Sequence, residues 1–181
     1  MKGLKEYSIP FKGLKEGKHE FEFELKNEFF EEFDSSEIRT GEVKANVVLT
    51  NRPQFLQFDF EIQGCVGTSC DRCLEDLDVD IEFTGKLYVK FGDEEEEQSE
   101  ELIVIHHEEH QVNIAQYMFD SIMLSLPFQR VHPEDEDGVS ECAPEMLEKL
   151  DAHIIEEEIE EISEEDIDPR WADLKKLLNN N

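Results

Sequence analysis

Basic residues are scarce in this chain. Its 181 residues include 17 Lys+Arg against 47 Asp+Glu, which gives a formal net charge of −30 at pH 7. The deficit is uneven, because residues 1–92 carry a net charge of −7 and residues 93–181 carry −23. A surface of this sign repels the phosphates of nucleic acids at long range. Direct, broad binding to nucleic acid is therefore not expected, and basic proteins are the natural electrostatic partners.

Long apolar runs are missing as well. The most apolar stretch, residues 112–126, is too short to span a membrane and is followed by Pro127. The first residues contain no signal-peptide core, so we expect a cytoplasmic protein. The chain also lacks a glycine-rich phosphate loop, a nucleophile elbow and a dinucleotide fingerprint. These common enzyme motifs therefore give no support for a catalytic function.

Cysteine is rare, and three of the four cysteines lie within residues 65–73. Cys70 and Cys73 have the C-x-x-C spacing at which two thiolates can bind one zinc ion or form a redox disulfide. In the absence of an export signal, a thiol or metal role is favoured over a structural disulfide. A structural zinc needs two more ligands. The candidates are Cys65, Cys142, His132, His106, His107 and His110.

Two other interpretations of the C-x-x-C pair stay open at this stage. The thiols can be reduced, small and partly buried side chains without a ligand role. A redox role is less favoured, since thioredoxin-like motifs lie at a strand–helix junction in a βαβ unit. Here the flanking segments both alternate like strands, so the pair is expected in a turn, or knuckle, at the end of a sheet.

Residues 106–110 match the pattern H-x-x-E-H, in which two histidines bind zinc and a glutamate activates water. A zinc metalloenzyme using His106, Glu109 and His110 is therefore an alternative function. The pattern needs a helix, however, and it precedes the predicted start of the nearest one. A solvated polar junction is the favoured interpretation of this segment.

Alternating apolar and polar residues predict strands at 19–25, 42–50 and 56–62, and a long strand from 77 to 91 with Gly85 as a possible bulge. A short helix is predicted at 27–33 and a short edge strand at 102–105. Residues 113–126 predict a helix that Asn113 caps and that is buried nearly all round. The expected fold class is α+β: a curved antiparallel sheet, partly open and barrel-like, packed by one buried helix.

The second half of the chain is divided by composition. Residues 1–130 are expected to form the β-rich core domain, residues 131–167 an acidic flexible segment, and residues 168–181 a C-terminal helix. Residues 93–101 are expected to form a disordered acidic loop. Asp168 and Pro169 are a typical helix start, and Trp171, Leu174 and Leu177 share one apolar face of the helix that follows.

Three landmarks together resemble the YceD family, the large ribosomal RNA subunit accumulation proteins. The first is the string Cys-Asp-Arg-Cys-Leu at 70–74, similar to the family's C-x-R-C-L. The second is Leu126-Pro127 at the end of the buried helix. The third is the tail at 168–177, similar to D-P-R-x-x-x-L-x-x-L. Many relatives carry a cysteine cluster that looks metal-binding between the helix and the tail, where this chain keeps only Cys142.

The resemblance implies a non-enzymatic factor that supports accumulation of large-subunit ribosomal RNA. Together with the acidic charge, it points to a basic ribosomal protein or a large-subunit assembly intermediate as the partner. An acidic mimic of nucleic acid, which would occupy the binding groove of a nucleic-acid enzyme, is a further alternative. The residues expected to contact the partner are Arg72, Asp168, Arg170, Trp171, Leu174 and Leu177.

Overall fold

The computed structural model describes residues 3–33, 37–92, 101–134 and 138–153. The chain divides into two compact units, Met1–Ala143 and Pro144–Asn181. In the second unit the described part is one helix, α3 (Pro144–Asp151), and its described neighbours. The predicted C-terminal helix and most of the acidic loop at 93–101 lie outside the described residues, and the predicted domain boundaries stay predictions.

The first unit is built on a five-stranded sheet with the strand order β2-β3-β4-β5-β6. Its strands are β2 (Gly17–Leu25), β3 (Thr40–Asn51), β4 (Phe55–Ser69), β5 (Asp76–Phe91) and β6 (Leu102–Ile105). The first four pair antiparallel, as expected from consecutive strands with short links. Strands β1 (Ser8–Pro10) and β7 (Gln111–Asn113) form a separate two-stranded sheet.

Strand β6 departs from the expected antiparallel sheet, because it pairs parallel to β5 with Tyr88 opposite Leu102. The chain leaves β5 at Phe91 and enters β6 beside Tyr88, so both strands run in the same direction. The α+β class and the open sheet are confirmed, and the sheet is mixed rather than purely antiparallel.

Apolar and polar residues alternate along the strands, so the sheet has one buried face, which we call the dry face, and one exposed face, which we call the wet face. Val43, Val47 and Leu49 of β3 and the facing residues of β4 are fully or almost fully buried. On the opposite face of β2, the glutamates at 20, 22 and 24 are exposed. Successive side chains point to opposite faces of a strand, so this period-two pattern fixes which face meets the core.

Two helices cover the dry face. Helix α1 (Asn27–Glu31) buries Phe29 and Phe30, while helix α2 (Ala115–Ser125) buries Met118 and Ile122 among others. Asn113 is not the N-cap that the sequence predicted, because Ile114 holds that position and has no side-chain cap hydrogen bond. The Oδ1 of Asn113 accepts a hydrogen bond from the N–H of Ala115, the first residue of α2, at 3.0 Å. The prediction that α2 is buried nearly all round is wrong, because the helix lies on the edge of the core.

The exposed side of α2 is apolar at one position. Leu124 is 79% exposed. The ring of Phe33, which follows α1, stacks on that of Phe119 in α2 with centroids 3.9 Å apart.

Gly85 does not form the predicted bulge. The β4–β5 register continues through it without an insertion, with Gly85 opposite Phe60. A side chain at this position would collide with the ring of Phe83 and would lie 3.0 Å from the hydroxyl oxygen of Tyr117. The glycine is therefore explained by the space that the ring of Phe83 and the hydroxyl of Tyr117 occupy over the strand rather than by a change of register.

Within the described parts of the chain, every helix is too short or too polar to cross a lipid bilayer.

Substitution of Gly64 tests how closely the backbones of β3 and β4 approach each other. A Cβ at this position would meet the backbone carbonyl oxygen of Glu42 and would lie 2.6 Å from the Cα of Val43. Backbone atoms in a paired strand cannot move aside cheaply, so Gly64→Ala should lower the free energy of unfolding by about 1–3 kcal/mol. Urea denaturation measures the change.

Gln63→Ala, at the exposed neighbouring position on β4, is the matched control and should change the free energy of unfolding by less than about 0.5 kcal/mol. Equal stability of the Gly64→Ala and wild-type proteins would show that β3 and β4 do not approach as closely as described.

Candidate metal centre

The C-x-x-C pair lies in the connection between the two longest strands. Ser69 at the end of β4 pairs with Asp76 at the start of β5, so residues 70–75 form the turn, which we call the knuckle. The N–H of Leu74 donates to the carbonyl oxygen of Cys70 at 2.9 Å, and the N–H of Cys70 donates to that of Glu75 at 2.8 Å. The predicted position of the pair in a turn at the end of the sheet is confirmed.

The knuckle closes through a left-handed residue. Leu74 has a φ of 63°, the one positive φ of a residue other than glycine among the described residues. This conformation brings the Cβ of an L-residue close to the following carbonyl oxygen, which costs roughly 1–2 kcal/mol. The tight turn places the side chains of Cys70 and Cys73 on the same side.

A second segment packs against the knuckle. It comprises residues 130–134 and 138–142, and we call it the bridged loop because Glu134 and Ser140 form an antiparallel bridge within it. The N–H of Glu141 also donates to the carbonyl oxygen of Pro133 at 3.1 Å. The loop carries two of the candidate ligands, His132 and Cys142, toward the knuckle.

Four side chains converge between the knuckle and the bridged loop. One ligand atom from each of Cys70, Cys73, His132 and Cys142 lies within 4.8 Å of the others, and the three cysteines are buried. The Sγ atoms of Cys70 and Cys142 are 3.8 Å apart. The Nδ1 of His132 lies 3.3 Å from the Sγ of Cys73 and 3.7 Å from that of Cys142.

These separations fit a tetrahedral zinc site. With Zn–S bonds of about 2.3 Å and Zn–N bonds of about 2.0–2.1 Å, the corners of a tetrahedron are about 3.8 Å apart for two sulfurs and about 3.5 Å for a sulfur and a nitrogen. The donor set, three thiols and one imidazole, is one that structural zinc sites use. The residues present can therefore hold a metal ion.

The imidazole of His132 is oriented by the backbone. Its Nε2 lies 3.1 Å from the carbonyl oxygen of Asp76, an acceptor, so Nε2 carries the proton and Nδ1 faces the sulfurs. Such a partner fixes the tautomer of a metal-binding histidine. Burial lowers the pKa of His132, but its hydrogen bonds with Cys70 and Asp76 outweigh burial, and the pKa is raised.

The thiol of Cys70 is acidic. Burial raises its pKa, but hydrogen bonds from the backbone N–H groups of Cys73 and Arg72 outweigh burial, and the pKa falls from 9.0 to about 6. The N–H of Arg72 lies 3.4 Å from the Sγ. The lowered pKa of Cys70 makes its thiolate, the form that binds metal ions, available near neutral pH.

Asp71 fastens the bridged loop to the knuckle. Its N–H donates to the carbonyl oxygen of Arg130 at 2.6 Å, and its carboxylate accepts from the N–H of Arg130 at 2.8 Å and from its guanidinium at 3.2 Å. These contacts with Arg130 hold the pKa of Asp71 below its usual value. The guanidinium of Arg130 also pairs with Glu37.

Arg72 makes a second contact with the bridged loop. Its Nη1 donates to the hydroxyl oxygen of Ser140 at 3.4 Å and lies 3.9 Å from a carboxylate oxygen of Glu134. The two residues between the cysteines therefore both hold the loop that supplies the other ligands. The predicted role of Arg72 in partner binding stays a prediction.

The other candidate ligands lie elsewhere. Cys65 is in the middle of β4 opposite Asp80 and is not part of the cluster. Burial and the nearby carboxylate of Asp78 raise the pKa of its thiol. Its weak prediction as a metal ligand is not supported by its position, because four residues of extended strand lie between it and Cys70.

The H-x-x-E-H segment forms the connection between β6 and β7 rather than a helix, so its two histidines lack the helical spacing that a metalloprotease site requires. The Nδ1 of His110 lies 3.0 Å from the Nζ of Lys12, and the ring of His107 stacks on Phe91 with centroids 6.0 Å apart. The one metal-capable cluster found among the described residues does not include this segment.

The remaining predicted partner-binding residues lie outside the described residues. They are Asp168, Arg170, Trp171, Leu174 and Leu177.

An open mixed sheet whose longest hairpin carries a Cys₃His cluster defines a β-rich protein with a metal-capable knuckle. Comparison with family models gives the finer assignment. Residues 58–178 match the model described as large ribosomal RNA subunit accumulation protein YceD, and the chain belongs to the YceD family. The resemblance carried by the three sequence landmarks is thus confirmed.

The family description suggests a role in the accumulation of large-subunit ribosomal RNA. The matched range includes the knuckle and the bridged loop. A search of curated proteins and a search of solved structures each found no match.

The acidity of Cys70 is testable in the metal-free protein. The folded-state pKa lies below the ordinary value of 9.0, so the thiolate should form as the pH rises through about 6. Its contribution to folding is fully present above pH 9 and is lost as the pH falls through about 6. The thiolate absorbance in the far ultraviolet, measured as wild type minus Cys70→Ser, should show this midpoint.

Cys65→Ser is the control variant, and its titration near pH 6 should match that of the wild type. A midpoint near 9.0 for Cys70 would mean that the backbone N–H groups do not stabilise the thiolate.

Proposed function

We propose that this protein is a non-enzymatic cytoplasmic factor that supports large-subunit ribosomal RNA accumulation by binding a basic ribosomal protein or assembly intermediate, and that zinc at the Cys₃His cluster stabilises its fold. The observation that carries the proposal is the closed donor set at the knuckle. Four protein ligand atoms, the number that a closed tetrahedral site needs, lie within 4.8 Å of one another. Family membership supports the ribosomal part of the proposal.

A closed site argues for a structural metal. Catalytic zinc sites keep one position for water or substrate, whereas structural sites fill all four with protein ligands. Zinc, when bound, supplies a cross-link between the hairpin turn and the bridged loop. The chain's own groups do the rest: Asp71 and Arg72 bring the loop to the knuckle, and the Asp76 carbonyl orients His132.

The charge of the described sheet supports a basic partner. On the wet face, Glu22 of β2 and Glu61 of β4 flank Asn46 of β3, because the register places the three side by side. The adjoining row begins with Glu24 and ends with Glu82. Lysines interrupt this face at few positions, so the field above the sheet is negative and attracts a cationic protein.

The mechanism that fits these features is shielding. The acidic protein covers the basic surface of a ribosomal protein until ribosomal RNA displaces it. Electrostatic complementarity of this kind speeds encounter and suppresses binding to wrong partners, whereas apolar contacts set how long a complex lasts.

The zinc hypothesis predicts about one equivalent of zinc in protein purified without a chelator. His132→Ala and Cys142→Ser should each reduce the zinc content and lower the free energy of unfolding by several kcal/mol, because the free energy of metal binding contributes directly to folding. Elemental analysis and urea denaturation measure the two effects.

Cys65→Ser is the matched control, a cysteine replacement outside the cluster that should keep both zinc and stability. If the wild-type protein purified from zinc-supplemented cells contains no more zinc than the buffer background, the metal part of the proposal is refuted.

The partner hypothesis predicts binding that weakens with salt. The Debye length falls from about 10 Å at 0.1 M salt to about 3 Å at 1 M. The full chain, immobilised and exposed to proteins stripped from large ribosomal subunits, should bind with an association rate that falls accordingly. Replacing the glutamates at 20, 22 and 24 with Gln should slow association roughly three- to tenfold. Trp171→Ala should mainly speed dissociation.

Asn46→Gln, an uncharged change on the same exposed face, should leave the association rate unchanged. Binding that is indifferent to salt between about 0.1 and 0.5 M would contradict the electrostatic account, since screening over this range is substantial.

A further inference from the structure

The tight turn requires a left-handed residue at position 74, but it does not explain why that residue is an exposed leucine rather than a glycine. The backbone of Leu74 is left-handed, with φ at 63°, and its side chain is 65% exposed. Glycine adopts this conformation without steric cost, whereas leucine does not. An apolar side chain at a strained position is normally compensated by burial, and here most of the side chain is in solvent. Strain kept at an exposed residue indicates a function for that side chain.

Two other exposed apolar side chains lie close in sequence to residues that contact the knuckle. Phe128 is 100% exposed and comes two residues before Arg130, which Asp71 holds against the knuckle. Val139 is 62% exposed and adjoins Ser140, which accepts a hydrogen bond from Arg72. Phe128 and Val139 thus lie within two residues of groups that hydrogen-bond to the knuckle. We call Leu74, Phe128 and Val139 the knuckle patch.

Exposed apolar side chains are uncommon on the rest of the described surface. Among the described residues, five large hydrophobic side chains are exposed, and three of them form the knuckle patch. The other two, Leu124 and Leu150, lie on helices α2 and α3. Exposed apolar groups that gather beside polar residues mark interaction sites.

The charges around the knuckle patch determine the kind of partner. Residues 70–78 contain four acidic residues and one arginine, and the described residues 130–134 and 138–142 contain two acidic residues and one arginine. Both arginines are already paired, Arg72 with Glu134 and Arg130 with Asp71 and Glu37. The surplus of carboxylates favours a cationic partner and disfavours nucleic acid.

We propose that the knuckle patch is the docking site for a lysine- or arginine-rich segment of a large-subunit ribosomal protein, with Leu74 as the central apolar contact. An apolar centre with a polar rim is the common arrangement of a protein–protein interface. The turn and the bridged loop hold the patch in position. This inference rests on the proposed function and adds to it the surface that gives specificity.

The test is Leu74→Gly in the full-length protein. Glycine removes the side chain and relieves the left-handed strain, so the zinc content should stay the same and the melting temperature should stay the same or rise. Dissociation from the proteins stripped from large ribosomal subunits should become at least about tenfold faster. Leu74→Asn, which tolerates the same backbone conformation but is polar, should behave in the same way.

Leu124→Gln is the matched control, because Leu124 is at least as exposed but lies on α2; its complex should dissociate at the wild-type rate. If the Leu74→Gly complex dissociates at the wild-type rate, the docking-site proposal is overturned and the proposed function still stands. Loss of zinc or a lower melting temperature in Leu74→Gly would overturn it too, since Leu74 would then be structural.

Two further outcomes complete the test. If the wild-type protein binds none of the ribosomal proteins, the proposed function fails and the docking site fails with it. If Leu74-dependent binding is seen with purified ribosomal RNA instead of protein, the basic protein segment is the wrong occupant and the inference is overturned.

Discussion

The pairing of β4 with β5 is the constraint on which the rest of the structure depends. It runs from Phe55 opposite Lys90 to Ser69 opposite Asp76, along the full length of β4. A slip of one residue would turn every side chain of one strand to the opposite face. The carboxylates of β5 would then point into the core. The turn at 70–75 would also change length, and the geometry that directs both thiols to one side would be lost.

Local pattern predicted much of this arrangement. Strict alternation identified the strands and their buried faces, because a half-buried strand needs that period. The C-x-x-C spacing between two alternating segments was enough to place a knuckle at the end of the sheet. The remaining ligands were a different problem. His132 and Cys142 were only two of several candidates, since Cys73 and His132 are 59 positions apart and no periodicity links them.

What selects His132 and Cys142 is a set of tertiary hydrogen bonds, chiefly those between Asp71 and Arg130. Such contacts leave no local signal in a sequence. The same limit explains the other departures. The direction of β6 depends on where the chain returns after Phe91, and the glycine at 85 reflects the packing of the Phe83 ring and of Tyr117 over the strand.

The separation of the cysteine ligands along the chain has a consequence for the protein during its own synthesis. At about 5–20 residues per second, the ribosome makes His132 roughly 3–12 s after Cys73. The sheet around β4 can pair in that interval, and the finished hairpin holds Cys70 and Cys73 side by side without their partners. A nascent chain in that state carries a C-x-x-C pair with one acidic thiol, the arrangement most open to disulfide closure. Arrival of the bridged loop ends this period of oxidative vulnerability.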